Sequence, residues 1–462
     1  MHALSTTKSG SIECHQYQPD HPRFITLTYQ DNPEFLPRPT LRATQIENWQ
    51  LQRKRLVLSE FYKEHHQAAP VNFPTDIAGL EAIAFTDKEM LRANQRIHPP
   101  FGSYLATSLE NVIRLHRTSG TTGQAMNLAL SAADTQLQAH IAGRSQAAAG
   151  LGSRDIVIHC LNYQMWMGGL TDHLGLETTG AVVVPFGVGD SERLVQTILD
   201  VGINAISCTP SYPARLEQVI QKKFAGLKPK DLGLRKGFMG GEAGLDDLTF
   251  RHRLEETWGM RVMNSNYGVS DVLCNFAGQC TEQNDLHFLA LDVIFPELVN
   301  PDSLERLPWE TDREGELVLT NLYKECQPLV RFRTGDLVRL TSTEICLCGR
   351  TAPRFRVIGR IDDMVTVRGV NVFPSTLSSA VHSQIELNGQ YRVRLRKPPP
   401  YDQLPLEVEL AKGVSNSSLV SKLLTQAIGK ALRITVDLTL LKPGVLFRTD
   451  GKTQRVIKEY ES

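Results

Sequence analysis

The sequence predicts an α/β protein made of a large domain, whose mostly parallel sheets are covered by helices, and a small α+β domain at the C-terminal end. Three observations carry this. Between residues 131 and 208, short β-branched runs alternate with helix-like segments, the pattern of parallel strands joined by crossover helices. From Gly359 onward a different order of elements takes over. At 462 residues the chain also exceeds the size at which one hydrophobic core keeps growing.

The first hundred residues are mixed, with stretches such as His65-His66 and His98-Pro99-Pro100, and contain no catalytic pattern. We expect residues 1–100 to pack on the large domain. Ala132 to Ala149 is Ala- and Gln-rich with helical spacing. Asp155 to Cys160 and Ala181 to Pro185 have the length and composition of buried strands, Ser191 to Val201 is an amphipathic helix, and Ala205 to Cys208 is a further strand. The C-terminal unit reads as strand (364–368), helix (374–384), strand (390–396), a Pro-rich turn, strand (405–411), helix (415–432) and strand (435–441). The simplest partition is 1–100, 101–359 and 360–462, with the last joint near Arg360-Ile361-Asp362-Asp363.

Composition narrows the class of function. Lys plus Arg equals Asp plus Glu, 50 each, so no global charge attracts nucleic acid or anionic lipid. No apolar run approaches the roughly 20 residues that span a bilayer, and Met1 to Asp20 is polar with no signal-peptide core. The expectation is a cytoplasmic protein that engages neither nucleic acid nor membrane. Its eight cysteines then read as reduced thiols or metal ligands rather than a disulfide framework.

The stretch Arg117-Thr118-Ser119-Gly120-Thr121-Thr122-Gly123-Gln124 is richest in chemistry. Its glycines turn without a Cβ penalty, and its hydroxyls and amides can surround a polyphosphate. It lacks the Lys of the common nucleotide loop. Taken alone, such an octapeptide is more often an ordinary loop.

Four further stretches follow in order: Phe238-Met239-Gly240-Gly241-Glu242, Asn266-Tyr267-Gly268-Val269-Ser270-Asp271, Arg331-Phe332-Arg333-Thr334-Gly335-Asp336 and Gly451-Lys452. With the Thr118 loop, they resemble the adenylate-forming superfamily of acyl-CoA synthetases and luciferases, and within it the phenylacetate–CoA ligase group. The group-specific likeness is strongest at Val357 to Met364, running into Val367 to Ser375, and it extends to Cys208-Thr209-Pro210-Ser211-Tyr212. It covers roughly residues 105–457.

The resemblance implies ATP, Mg²⁺ and CoA as reactants, and a small domain that is mobile. It puts the ATP phosphates on Thr118, Ser119, Gly120, Thr121, Thr122 and Gly123. The ribose would go to Asp336, and the adenine between Tyr267-Gly268, Asn266 and Gly241-Glu242. Lys452 becomes the cation bridging carboxylate and α-phosphate. Arg360 contacts ribose or phosphate, Asp362 is the hinge, and Gly369 borders the pantetheine channel. The acid would lie among Tyr163, Trp166, Met167, Gly168, Pro210, Ser211 and Gly240, whose flat apolar character suits an aryl or other planar acid. Joining two anions and stabilising departing pyrophosphate is chiefly a task of positioning and electrostatics.

The chain departs from the family pattern at two places. Asp271 stands where a Glu usually holds Mg²⁺, one methylene shorter but still a hard oxygen ligand. Gln124 stands where a Lys is common, so Arg117 would supply part of the pyrophosphate stabilisation. A separate signal lies in the cysteines: Cys280, His287, Cys346 and Cys348 form a set that could close a tetrahedral structural zinc site, with buried reduced thiols as the alternative. Cys14, Cys160, Cys208, Cys274 and Cys326 read as packing residues.

The leading reading is therefore an acid–thiol ligase giving acyl-CoA, AMP and pyrophosphate. Its close rival transfers the acyl group to a carrier-protein thiol or an amine, and a second rival is a catalytically weak acid- or adenylate-binding protein. The expected partners are a small carboxylic acid and CoA or a carrier-protein thiol, with a homodimer left open. Lys452→Ala is expected to abolish adenylation while thioester formation from preformed adenylate stays largely intact. Equal loss of both, in separately timed half-reactions, would overturn the two-conformation assignment.

Overall fold

The computed structural model describes residues 32–65, 73–118, 125–414, 417–446 and 455–461. Its centre is a 12-stranded mixed sheet. One half is parallel, in the spatial order Arg261–Val269, Lys236–Gly240, Ala205–Cys208, Ile156–His159 and Val182–Pro185. Consecutive residues of these strands feed opposite faces. Val157, Ala205, Phe238 and Met263 join one core cluster, and Ile158, Ile206, Met239 and Val262 join the other. A period of two with both sets apolar is what a strand covered on both sides requires.

The helices that cover it start and stop where their side chains dictate. Ala132–Ala148 opens on a capping box in which the Ser131 and Asp134 side chains each take the other's backbone amide. Ser191–Val201 is capped by Asp190 and ended by the left-handed Gly202. Arg144 pins the first helix to the sheet through a two-pronged buried pair with Asp292, at 2.8 and 3.0 Å.

The other half of the sheet is antiparallel, which the expectation of mostly parallel strands leaves out. From Arg261–Val269 outward it continues through Leu273–Cys280, Gln283–Phe288, Arg354–Arg360, Phe332–Ser342, Glu314–Asn321, Ile294–Val299 and Arg306–Leu307. Hairpins build most of this half, so it shows no strand–helix alternation in sequence. Thr334-Gly335-Asp336 lies inside one 11-residue strand, Phe332–Ser342. Gly335 takes a φ of +74° there, and the Thr334 hydroxyl accepts the Asp336 amide at 3.0 Å.

The amino-terminal helices share the core of the antiparallel half. Trp49, Leu56 and Tyr62 cluster with Phe276, Phe288 and Phe332, and the Tyr62 hydroxyl donates to the Pro328 carbonyl while accepting the Val330 amide, both at 3.0 Å. A separate core, from Val365 to Val456, belongs to the small domain. There a four-stranded sheet ordered Val436–Leu441, Leu404–Leu410, Leu387–Leu395, Val456–Lys458 packs against Pro374–His382 and Ser417–Leu432. The strand at Val456–Lys458 and the small hairpin strand Val370–Val372 are additional to the sequence reading.

Candidate active site

The sheet changes from parallel to antiparallel at Arg261–Val269, and the motifs at Gly240-Gly241-Glu242, Asn266-Tyr267 and Asp336 meet there, at the carboxyl ends of the parallel strands, where open α/β sheets bind ligands. Asp336, buried, is the meeting point. Its Oδ2 accepts the Tyr267 hydroxyl at 2.8 Å and its Oδ1 accepts Arg360 Nη1 at 2.6 Å. Arg360 also grips Asp362 with two nitrogens, at 2.8 and 3.1 Å. Burial opposes the Arg360 charge, but Asp336 and Asp362 outweigh it and raise its pKa further. Burial and then the Asp336 charge push the Tyr267 hydroxyl well above its ordinary range. The Tyr267 ring stands edge-on to Phe276 and Phe355.

Beside this group the Gly240-Gly241-Glu242 turn closes on the next strand. A Cβ at Gly240 would lie 2.2 Å from the Asn266 carbonyl oxygen, so only glycine permits the approach. Glu242 Oε2 accepts the Ser211 amide at 3.3 Å, which joins the Pro210-Ser211 turn to the Gly-Gly-Glu loop. The Trp166 indole lies on Gly168 and reaches to 3.8 Å from where a Cβ of Gly241 would stand. Trp166, Gly168, Gly240, Ser211 and Glu242 are thus linked through contacts at one locus. Tyr163 turns to a different set of partners: its hydroxyl meets His173 Nδ1 at 3.0 Å, and His173 Nε2 meets Glu177 at 3.1 Å. Met167 is buried with Leu128, Leu130 and Cys274, as a core residue would be.

Ser119 to Gln124 and Lys452 lie outside the described residues. The stem of that loop is closed, because Thr118 exchanges two hydrogen bonds with Met126: its amide reaches the Met126 carbonyl at 3.0 Å and its hydroxyl accepts the Met126 amide at 2.9 Å. Asp271, buried, pairs with Lys88 at 3.1 Å through Oδ2 while its Oδ1 has no partner among the described residues. Lys88 comes from the first hundred residues, where no motif marks it. Gly369 follows Arg368 in the two-residue turn between Val365–Val367 and Val370–Val372, both with positive φ, as a I′ hairpin turn demands.

Sequence reasoning also passed over Asp172. It is fully buried on the helix Met167–Thr178 and accepts the side-chain amides of Asn266 and, at 3.4 Å, Asn275. It therefore holds the strand that carries Tyr267. A lone Asp within a Gly-rich helix gives no sequence signal.

The cysteine set does come together. The hairpin Leu273–Cys280/Gln283–Phe288 carries Cys280 and His287, and the loop before Arg354 carries Cys346 and Cys348. The four ligand atoms lie within 4.8 Å of one another, with Cys280 Sγ to Cys346 Sγ at 3.8 Å and Cys348 Sγ to His287 Nε2 at 3.7 Å. A tetrahedron with metal–sulfur arms of about 2.3 Å has edges of about 3.8 Å, so the donors fit a zinc ion. Hydrogen bonding with Cys280, and then with His287 and Arg350, holds the Cys348 thiol well below its usual range. Cys160, Cys208, Cys274 and Cys326 are free and buried.

The two domains face each other across a cleft of about 60 Å³ lined by Ser211, Glu242 and Phe250 on one side and His382, Tyr391 and Arg455 on the other. Arg455, three residues after Lys452, lies 4.3 Å over the Tyr391 ring and donates to the Tyr391 carbonyl at 2.9 Å.

Residues 369–459 match the family model of the AMP-binding enzyme C-terminal domain. The chain is 34% identical to a phenylacetate–coenzyme A ligase of Thermus thermophilus over 459 residues, covering 93% of this chain and 99% of that one. It is 31% identical to the Escherichia coli phenylacetate–coenzyme A ligase, covering 92% and 97%. Among solved structures, a 2-hydroxyisobutyryl-CoA ligase in its post-adenylation state with an acyl-AMP matches with a TM-score of 0.84 at 27% identity, over 93% of this chain and 92% of that one. The same ligase with acyl-AMP and CoA in its thioesterification state, also 27% identical, gives 0.67 over 92% and 91%.

Burial raises the Asp172 pKa from 3.8 to about 7, against the pull of Asn275 and Asn266. A carboxyl whose folded pKa lies above its unfolded one stabilises fully below the unfolded value, and this contribution is lost as pH rises through the folded one. Stability should fall by up to about 1.4 kcal/mol per pH unit across that interval. Asp172→Asn, which removes the titrating group, should flatten this slope in urea unfolding between about pH 5 and 7. An unchanged slope would clear Asp172 of the effect.

Proposed function

The chain belongs to the phenylacetate–coenzyme A ligase family, and from that membership we propose that it activates an aryl or other planar carboxylic acid with ATP and passes the acyl group to CoA. The acid carboxylate attacks the α-phosphate, forming the acyl–AMP bond as the bond to pyrophosphate breaks. The CoA thiol then attacks the acyl carbon, losing its proton, and AMP leaves. The observation that carries this reading is the convergence on Asp336. A buried carboxylate at the carboxyl edge of the sheet, flanked by an aromatic ring and by the hinge arginine, is suited to ribose hydroxyls.

In this reading Tyr267, Asn266, Gly241 and Glu242 frame the adenine, and Thr118 to Gly123 with Arg117 take the phosphates. Trp166 and Gly168, with Pro210, Ser211 and Gly240, border the acid. The free Oδ1 of Asp271 suits one Mg²⁺ contact, the remaining ligands being phosphate oxygens and water; bound there, the ion would neutralise phosphate charge. Lys452 delivers its ammonium to the reacting oxygens. The post-adenylation likeness of the whole chain supports the view that the arrangement described is the adenylation-side one, with Gly369 brought to the pantetheine arm after rotation at Asp362. Cys280, His287, Cys346 and Cys348 hold a structural zinc ion, all four positions being filled by protein.

Pyrophosphate release from ATP and Mg²⁺ across aryl, heteroaryl and short aliphatic acids, each with and without CoA, tests the function. We expect acid-dependent release, strongest with planar acids, raised by CoA and accompanied by AMP. Release indifferent to CoA would move the acceptor to a carrier-protein thiol or an amine, and silence throughout would leave a binding protein. For the metal, elemental analysis should find about one zinc per chain, and Cys346→Ser should lower both zinc content and thermal midpoint. A metal-free chain of unchanged midpoint would return the four residues to plain packing.

A further inference from the structure

Away from the hinge, the small domain meets the large one through a helix-on-helix contact, Pro374–His382 against Leu248–Trp258. At its centre the His382 ring lies on the Phe250 ring, with centroids 4.3 Å apart and planes 16° from parallel, an offset aromatic stack. His382 closes the carboxyl end of its helix and is fixed from its own domain. Its Nδ1 is 3.0 Å from Ser378 Oγ, and a Cβ at Gly389 would lie 2.8 Å from its ring. Phe250 is fixed from the other side, because Asp247, which caps its helix, accepts the amides of Thr249 and Phe250 at 2.9 and 3.3 Å. The second Asp247 oxygen, buried and without a partner among the described residues, stands 4.0 Å from His382 Nδ1. Both rings line the interdomain cleft beside Glu242 and Arg455.

We propose that the Phe250–His382 stack, with Asp247 beside it, is a clasp that positions the small domain for adenylation, so that Phe250 and His382 set the partition between the two half-reactions without touching substrate. This rests on the ligase reading above. The grip of Arg360 on Asp336 tethers only the linker, and a contact distant from the hinge adds the leverage to select one orientation of the small domain. The stack joins residues of two rigid helices, so rotation breaks it completely. An aromatic pair of this kind shifts a two-state equilibrium by roughly three- to tenfold.

The test uses the full chain and times each half-reaction separately. Phe250→Ala should slow single-turnover pyrophosphate release three- to tenfold and leave thioester formation from preformed adenylate and CoA unchanged or faster. Phe250→Tyr, which keeps the ring, should behave as the parent. His382→Ala should reproduce the Phe250→Ala split, and the double variant should lose nothing further. Equal slowing of both half-reactions, no slowing of either, or a Tyr variant as impaired as the Ala variant would overturn the clasp. Should the parent release no pyrophosphate with any acid, the ligase reading fails by itself. Amide exchange then decides the clasp: faster exchange of residues 374–382 in Phe250→Ala upholds it, and unchanged exchange rejects it.

Discussion

One strand, Arg261–Val269, has to serve two half-sheets that run by different rules. On one side it takes a parallel neighbour, on the other an antiparallel one. A parallel neighbour demands a covering helix, and an antiparallel one needs only a turn. The strand therefore ends where helical loops and hairpins meet: its last residues, Asn266 to Val269, lie between the Gly-Gly-Glu turn and the strand Leu273–Cys280, and the Tyr267 side chain reaches across to Asp336. Gly240 is confined by that crowding, Tyr267 is offered to Asp336 by it, and Asp172 secures it from the helix behind.

Much of this was legible in sequence, for physical reasons that also mark where legibility ends. Residues 191–201 are legible through their amphipathic spacing, and the helix has those bounds, with Asp190 and Gly202 at its ends; the parallel strands are legible because residues apolar on both faces have a distinctive composition. The antiparallel half was not read. Leu273–Cys280 is buried along its whole length yet interleaves Asn275, Gly278 and Gln279 with apolar side chains, so neither a period of two nor a continuous apolar run announces it. The Cys–His set was readable because three thiols and an imidazole are rare enough to stand out. Lys88 and Asp172 were invisible because their meaning lies only in partners 183 and 94 residues away.

Three buried aspartates at and around the site show how partners differentiate carboxylates of similar burial. Burial favours proton uptake by Asp172, and its amide partners Asn275 and Asn266 oppose this only in part. Asp271 has the Lys88 ammonium on one oxygen, and its other oxygen has no partner among the described residues. Asp336 has a phenol and a guanidinium, both of them donors that a ligand's hydroxyls can replace. The same side chain is thus a brace for one strand, the partner of an ammonium and the acceptor of a phenol within one fold.

The grip of Arg360 on Asp336 has a further consequence. Arg360 ends the last strand of the large sheet and leads into Asp362, so the carboxylate that would receive a sugar is also a tether on the linker. A guest that takes the place of the guanidinium on Oδ1 of Asp336 would release that linker from the sheet. By reciprocity, whatever favours the released linker also favours the guest. Occupancy of the large domain and freedom of the small one are two readings of a single equilibrium, and a change at Arg360 would alter affinity and motion together.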